Sequence, residues 1–132
     1  MIEGGLNVTI SEKIEKLWEY IAKQDAEQMK TFFAKEAVIC WHNSNEEFTL
    51  SEYIRANCEY PGEWQGQIER LEMCGETAVS VAQVKDRKGN SFRSVSFYHF
   101  ADGKIDRMDE YWGDEGEAPR WRKELEIGKP IR

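Results

Sequence analysis

The stretch Gly103–Asp114, GKIDRMDEYWGD, limits what this chain can become more than any other. It follows a turn, Ala101-Asp102-Gly103-Lys104, in which Gly103 is free to take the positive φ of a tight hairpin. Beyond the turn the residues alternate with the period of an extended strand. Met108, Glu110 and Trp112 fall on one face; Ile105, Arg107, Asp109 and Tyr111 fall on the other. A plain core face carries no carboxylate, and a plain wet face carries no tryptophan. A carboxylate set between Met108 and Trp112 reads as a pocket wall, although the pattern does not name a ligand.

Three more strands precede this one. Trp64–Met73, Ala78–Lys85 and Ser91–Phe100 are separated by turns at Cys74-Gly75-Glu76-Thr77 and Asp86-Arg87-Lys88-Gly89-Asn90, the layout of an antiparallel meander. The first half of the chain is different. Thr9-Ile10-Ser11-Glu12 matches a capping box, and Ile10, Ile14, Leu17, Trp18 and Ile21 recur at helical spacing after it. Asp25-Ala26-Glu27-Gln28 opens a short helix with Ala26, Met29, Phe32 and Phe33 inward, and a β-branched strand, Ala37–Trp41, follows. His42 to Glu47 reads as a polar loop. Thr49-Leu50-Ser51-Glu52 is a further capping box, and Leu50, Tyr53, Ile54, Asn57 and Cys58 share a face of its helix, which stops before Pro61-Gly62. Helices first and a meander last make an α+β chain, not an alternating α/β one. One domain spans 1–132, with its core at about 9–114 and a charged extension at 115–132 in which Trp121 is expected to dock.

Charge removes several functions. With a net charge of −7 the chain lacks the basic footprint of a nucleic-acid binder or an anionic-membrane binder. No apolar run approaches a membrane span, and Met1-Ile2-Glu3-Gly4-Gly5 is not a secretory leader. Cys40, Cys58 and Cys74 are odd in number and lack metal-ligand spacing, so they read as reduced thiols of a cytoplasmic protein. No metal site and no cofactor are expected, and no phosphate loop or serine triad motif is present.

Phe33-Ala34-Lys35-Glu36-Ala37-Val38, together with Phe100-Ala101-Asp102-Gly103-Lys104-Ile105 and Asp109-Glu110-Tyr111-Trp112, resembles the nuclear transport factor 2-like superfamily. The likeness is greatest to its SnoaL-like (polyketide cyclase-like) bacterial members. The resemblance covers about residues 9–114 and implies a cone: N-terminal helices packed in a strongly curved, mainly antiparallel sheet, with a deep pocket open at one end. The superfamily holds isomerases, dehydratases, epoxide hydrolases and cyclases, and also carriers without chemistry. In the ketosteroid isomerase branch the general base aligns with Trp41, the oxyanion tyrosine near Leu17 and the second acid near Ser96. None of these can do that enol chemistry, so steroid isomerisation is not expected.

Within such a cone Glu110 is the foremost acid–base candidate, because an apolar surround disfavours a charged carboxylate. The alternative is that Glu110 pairs with a lysine or arginine of a neighbouring strand. His42, beyond the first strand, is a second proton-transfer candidate at the expected mouth, against the plainer reading of a solvated loop histidine. Trp41, Tyr53, Trp64, Tyr98, Met108 and Trp112 converge from different elements as walls for a flat or multi-ring apolar ligand, with Asn43, Asn57 and Ser96 as polar contacts. Individually, several of these aromatics could equally be core. His99 is expected on the outer sheet face, and Cys58 has no partner base that would make it a nucleophile. The face carrying Val95, Phe97, His99, Arg107, Asp109 and Tyr111 suits a partner, by resemblance the second copy of a homodimer. Two readings stand: an acid–base enzyme of the cyclase, isomerase or dehydratase type acting on a small hydrophobic cyclic molecule, or a non-catalytic ligand-binding or dimerisation module.

Overall fold

Alternation of apolar and polar residues over long runs gives strands that each present one face to a core. The computed structural model describes residues 2–132, with side chains from Ile10 onward. In it, Phe33–Trp41 (β1), Glu46–Thr49 (β2), Trp64–Cys74 (β3), Thr77–Asp86 (β4), Ser91–Ala101 (β5) and Lys104–Asp114 (β6) form one sheet. Its order is β2-β1-β6-β5-β4-β3, with every neighbouring pair antiparallel except β1 and β6. The helices are Ile2–Lys23 (α1), Ala26–Lys30 (α2), Leu50–Cys58 (α3) and Arg120–Glu124 (α4). The expected α+β architecture holds: a curled, mainly antiparallel sheet with the helices of the first half against it.

The sheet is built outward from the β5–β6 hairpin. Asp102 and Gly103 both take positive φ, at 51° and 77°, as the primed turns that match strand twist require. α1 lies against β3 and buries Ile10, Ile14, Leu17, Trp18 and Ile21, the stripe that the helical spacing predicts. Asp25 caps α2, its carboxylate accepting the Gln28 N–H at 3.2 Å. Thr49 caps α3 with both halves of a capping box in place: Glu52 N donates to Thr49 Oγ1 and Thr49 N donates to Glu52 Oε1. Both second-layer helices are thus fixed by side chains that sequence reading identifies.

Four expectations need correction. The first helix starts at Ile2, so Thr9 and Glu12 stand inside it and not at its start; the Thr9 side chain lies outside the described residues. β1 begins at Phe33, directly after α2, because Ile105 N donates to Phe32 O at 3.0 Å and draws the chain into the sheet. Residues 46–49 form a short edge strand on β1, where the sequence reads as loop to Glu47. Trp121 is 56% exposed and undocked, with Arg122 over its ring at 5.2 Å.

A finer departure lies in β6. Between His99 and Phe100 the β5–β6 register shifts by one residue, so that His99 faces Arg107 and Phe100 faces Ile105. The extra residue, Asp106, is a bulge that reverses the parity of what precedes it. Ile105, expected on the face opposite Met108, is therefore buried in the same core, each at no more than 1% exposure.

Candidate functional site

Glu110 stands on the inner face of β6 between two strands that supply its surroundings. From β5, Ser96 Oγ donates to Glu110 Oε2 at 2.5 Å, with Ser94 Oγ at 3.4 Å from the same oxygen. From β1, the Trp41 indole N–H donates to Glu110 Oε1 at 3.0 Å. The register explains the meeting, since Ser96 is the cross-strand partner of Glu110 and Trp41 is its partner on the parallel side. Glu110 is 3% exposed, and among the described residues no lysine, arginine or histidine pairs with it. The ion pair that was the alternative for this residue is not formed there. Burial pushes its carboxyl up from the ordinary value, and the hydrogen bonds from Ser96, Trp41 and Ser94 only partly oppose this.

Above Glu110 opens a cavity of about 160 Å³. Its wall includes Trp41, Tyr53, Asn57, Trp64 and Trp112 from the sequence-derived set, joined by Trp18, Gln24, Tyr60, Phe92 and Ser94. The rings touch in series. Trp41 meets Trp112 edge-on at 5.1 Å, Trp112 stacks on Phe92 at 4.6 Å, Phe92 meets Trp64 at 5.8 Å, and Trp64 meets Tyr60 at 5.5 Å. Tyr53, 1% exposed, reaches Trp41 from α3 at 6.3 Å. Burial first, and the nearby Glu110 charge second, hold the Tyr53 hydroxyl well above the usual phenol range, so it stays protonated. The Trp112 Nε1 is the one buried side-chain nitrogen or oxygen among the described residues with no hydrogen-bond partner. Gln24 closes the rim, its amide donating to the Asn57 and Tyr60 carbonyls.

Other expected site residues lie elsewhere. Tyr98 is in the core, its hydroxyl accepting from Trp18 Nε1 at 2.7 Å and sharing a 2.5 Å hydrogen bond with Ser80. Met108, 0% exposed, packs beneath the cavity without lining it. Ser96 touches Glu110 but does not border the cavity. Asn43 grips the Trp112 backbone with both ends of its amide, at 2.7 and 2.9 Å, and extends the β1–β6 ladder past its end. His42 is not at the cavity mouth. Trp41 points inward, so its neighbour points outward; the His42 ring stacks on Tyr111 at 4.4 Å and its Nε2 lies 2.7 Å from Asp109 Oδ1. Phe92 and Ser94 were missed, although their shared parity with Ser96 on the same strand was a signal that could have found them. Gln24 and Tyr60 lie in connections, where no periodicity marks them.

On that outer face Cys40, His42 and Asp109 bring three potential metal-ligand atoms within 4.8 Å of one another. The Arg107 guanidinium already touches two of the three, at 3.1 Å from Asp109 Oδ1 and 3.6 Å from Cys40 Sγ, so a positive charge stands where a metal ion would be drawn. His99 lies on the sheet's half-exposed side between Asp106 and Glu76, which raise its pKa.

The SnoaL-like domain model matches residues 14–108, from the helix that covers the sheet to the strand that carries Glu110. The chain belongs to the SnoaL-like domain family. Solved structures share the fold along most of the SnoaL-like chain. A nuclear transport factor 2-like protein of unknown function from Burkholderia xenovorans is 20% identical, with a TM-score of 0.79 over 96% of this chain and 98% of its own. A proposed ketosteroid isomerase from Kribbella flavida is 24% identical, with a TM-score of 0.73 over 91% and 92%. A protein with a ketosteroid isomerase-like fold from Catenulispora acidiphila, solved in complex with trimethylamine, is 12% identical, with a TM-score of 0.66 over 76% and 84%. Among curated proteins none matches. At these identities the relatives share architecture only.

Proposed function

We propose that the cavity is a small-molecule site in which Glu110 is the general acid or base for a hydrophobic cyclic ligand, in a reaction of the cyclase, isomerase or dehydratase type. The observation that supports this most is the buried carboxyl itself. It has three neutral hydrogen-bond donors, no cationic partner among the described residues, and an aromatic cavity directly above it. A buried carboxyl whose pKa is raised by desolvation holds its proton more firmly than a solvated one, which suits it to acid–base chemistry. Tyr53, kept neutral, supplies a hydroxyl to a developing oxyanion. The Catenulispora relative with its bound trimethylamine supports small-molecule binding on this fold. His42, on the other side of the sheet, is not assigned a part.

The test is proton exchange. Cyclic β-keto esters and cyclic ketones incubated in D₂O with the wild-type protein are expected to gain deuterium at the acidic carbon. Glu110→Gln should slow that exchange by about a hundredfold or more, while the quenching of tryptophan fluorescence by the same compounds persists. The substitution suits the site: the Gln carbonyl can accept from Trp41 while its NH₂ donates to the serine hydroxyls, which rotate to receive it.

A second reading, a binding module without chemistry, is favoured by one observation. Among the described residues Glu110 is the only carboxyl in the cavity wall and no lysine, arginine or histidine joins it, so a reaction needing a carboxylic acid and a separate base would lack one of them. Under that reading the wild type exchanges nothing, and Glu110→Gln alters affinity alone. Either reading goes with a homodimer through the outer face, where Phe97 and Tyr111, 41% and 44% exposed, meet edge-on at 6.0 Å. Free Cys40, Cys58 and Cys74 favour a reducing compartment, the cytoplasm.

A further inference from the structure

We infer that the ligand of this cavity carries a compact organic cation, a tertiary or quaternary alkylammonium group, placed between the ring walls and the Glu110 carboxylate. The inference rests on the reading of the cavity as a ligand site and gives that site a substrate class. It begins with charge. Among the described residues bordering the cavity Glu110 alone carries a carboxyl, and none is lysine, arginine or histidine. An anionic ligand would meet a carboxylate and no counter-charge, inside a protein of net charge −7 whose field also repels it. A neutral ligand would fill the space and leave the carboxyl as it was.

A cation changes the balance at both ends of the cavity. Aromatic faces attract it through their quadrupoles, most strongly when water is excluded, and the wall is a contiguous series of rings from Tyr53 through Trp41, Trp112 and Phe92 to Trp64. At the floor, the ionised carboxyl already has its hydrogen bonds from Ser96, Ser94 and Trp41, all of which favour the charged form. The one thing opposing that form is the absence of a positive partner in a buried place, and the ligand brings one. An alkylated ammonium fits better than a primary one. Each N–H of a primary amine needs an acceptor, whereas the wall is mostly ring and aliphatic carbon.

The experiment compares phenyltrimethylammonium with tert-butylbenzene, the same shape with carbon in place of N⁺, by tryptophan fluorescence titration of the full chain. The expected result is binding of the cation at least about tenfold tighter than its neutral isostere, with that preference falling to about threefold or less in Glu110→Gln. Equal or tighter binding of tert-butylbenzene overturns the cation assignment and leaves the small-molecule reading standing. Binding of neither compound overturns that reading, and the assignment with it. An undiminished preference in a folded Glu110→Gln protein overturns the pairing with Glu110. If that variant does not fold, the wild-type comparison decides by itself: the cation binding at least about tenfold tighter than its isostere upholds the assignment, and equal or tighter binding of the isostere overturns it.

Discussion

Glu110 is the residue at which burial and ionisation compete. The folded state raises its pKa through burial, against the pull of Ser96, Trp41 and Ser94, so the unfolded chain gives up this proton first as pH rises. The stability that Glu110 allows is therefore whole below the unfolded carboxylate value, ~4.3, and declines as pH climbs through the higher folded value. Glutamine does not titrate, and the other carboxylates are common to both proteins. The stability of Glu110→Gln relative to wild type is thus expected to grow with pH across this window, read as urea midpoints at a series of pH values. A difference that does not vary with pH would mean that Glu110 is not buried as described. This residue was legible because a carboxylate between Met108 and Trp112 breaks the pattern of an apolar face. His42 was misplaced for a reason equally visible in sequence: if Trp41 turns in, strand alternation turns His42 out. What no pattern announces is partner choice. That Asn43 spends its amide on the Trp112 backbone, and that Tyr98 spends its hydroxyl on Trp18 and Ser80, follows from tertiary register.

At the level of elements, the four long strands were legible nearly to the residue, since each alternates between clear turn signals. The short ones were not. Glu46–Thr49 is four residues, two of them glutamates, and its only sheet neighbour is β1, so it has one ladder to hold and no apolar alternation to display. The bulge at Asp106 was hidden because one surplus residue leaves composition untouched while reversing parity. The start of α1 was mistaken because a capping pattern marks where a helix can begin and has no means of stopping one already running. Where a cap does begin a helix, it should cost stability to remove. Thr49 ends β2 and opens α3, with both hydrogen bonds of its box formed. Thr49→Ala is expected to lower stability by about 1 kcal/mol, within roughly 0.5–2, by a shift in urea midpoint without a change in slope. A loss below a few tenths would show that β2, and not the cap, holds the start of the helix.

For the whole molecule, the decisive fact is that the two faces of the sheet do different work. The inner face meets the helices and the cavity. The outer face leaves Phe97 and Tyr111 in contact with solvent beside the ion-paired Arg107 and Asp109. If a second copy covers that face, sedimentation at micromolar concentration should give twice the 15.5 kDa chain mass, and Phe97→Glu should return it to the single-chain value while leaving fluorescence quenching by cavity ligands in place. A single-chain mass in the wild type would leave the aromatic pair without the role assigned to it. The tail behaves otherwise: α4 buries nothing, and charge alternation in sequence was a fair guide to that even though Trp121 was not.

The parallel pairing of β1 with β6 has a consequence for how the molecule comes into being. Trp41 and Glu110 are 69 residues apart in sequence, yet they are register partners and share a hydrogen bond. A ribosome therefore releases β1 long before the strand that completes it exists. In that interval the Trp41 indole N–H and one edge of β1 stand open to any passing partner, and only the arrival of the last strand gives both an occupant. Maturation of the site and removal of that hazard are a single event, so a synonymous pause placed between the codons of β5 and β6 should lengthen the time spent as an aggregation-prone intermediate without altering the finished protein.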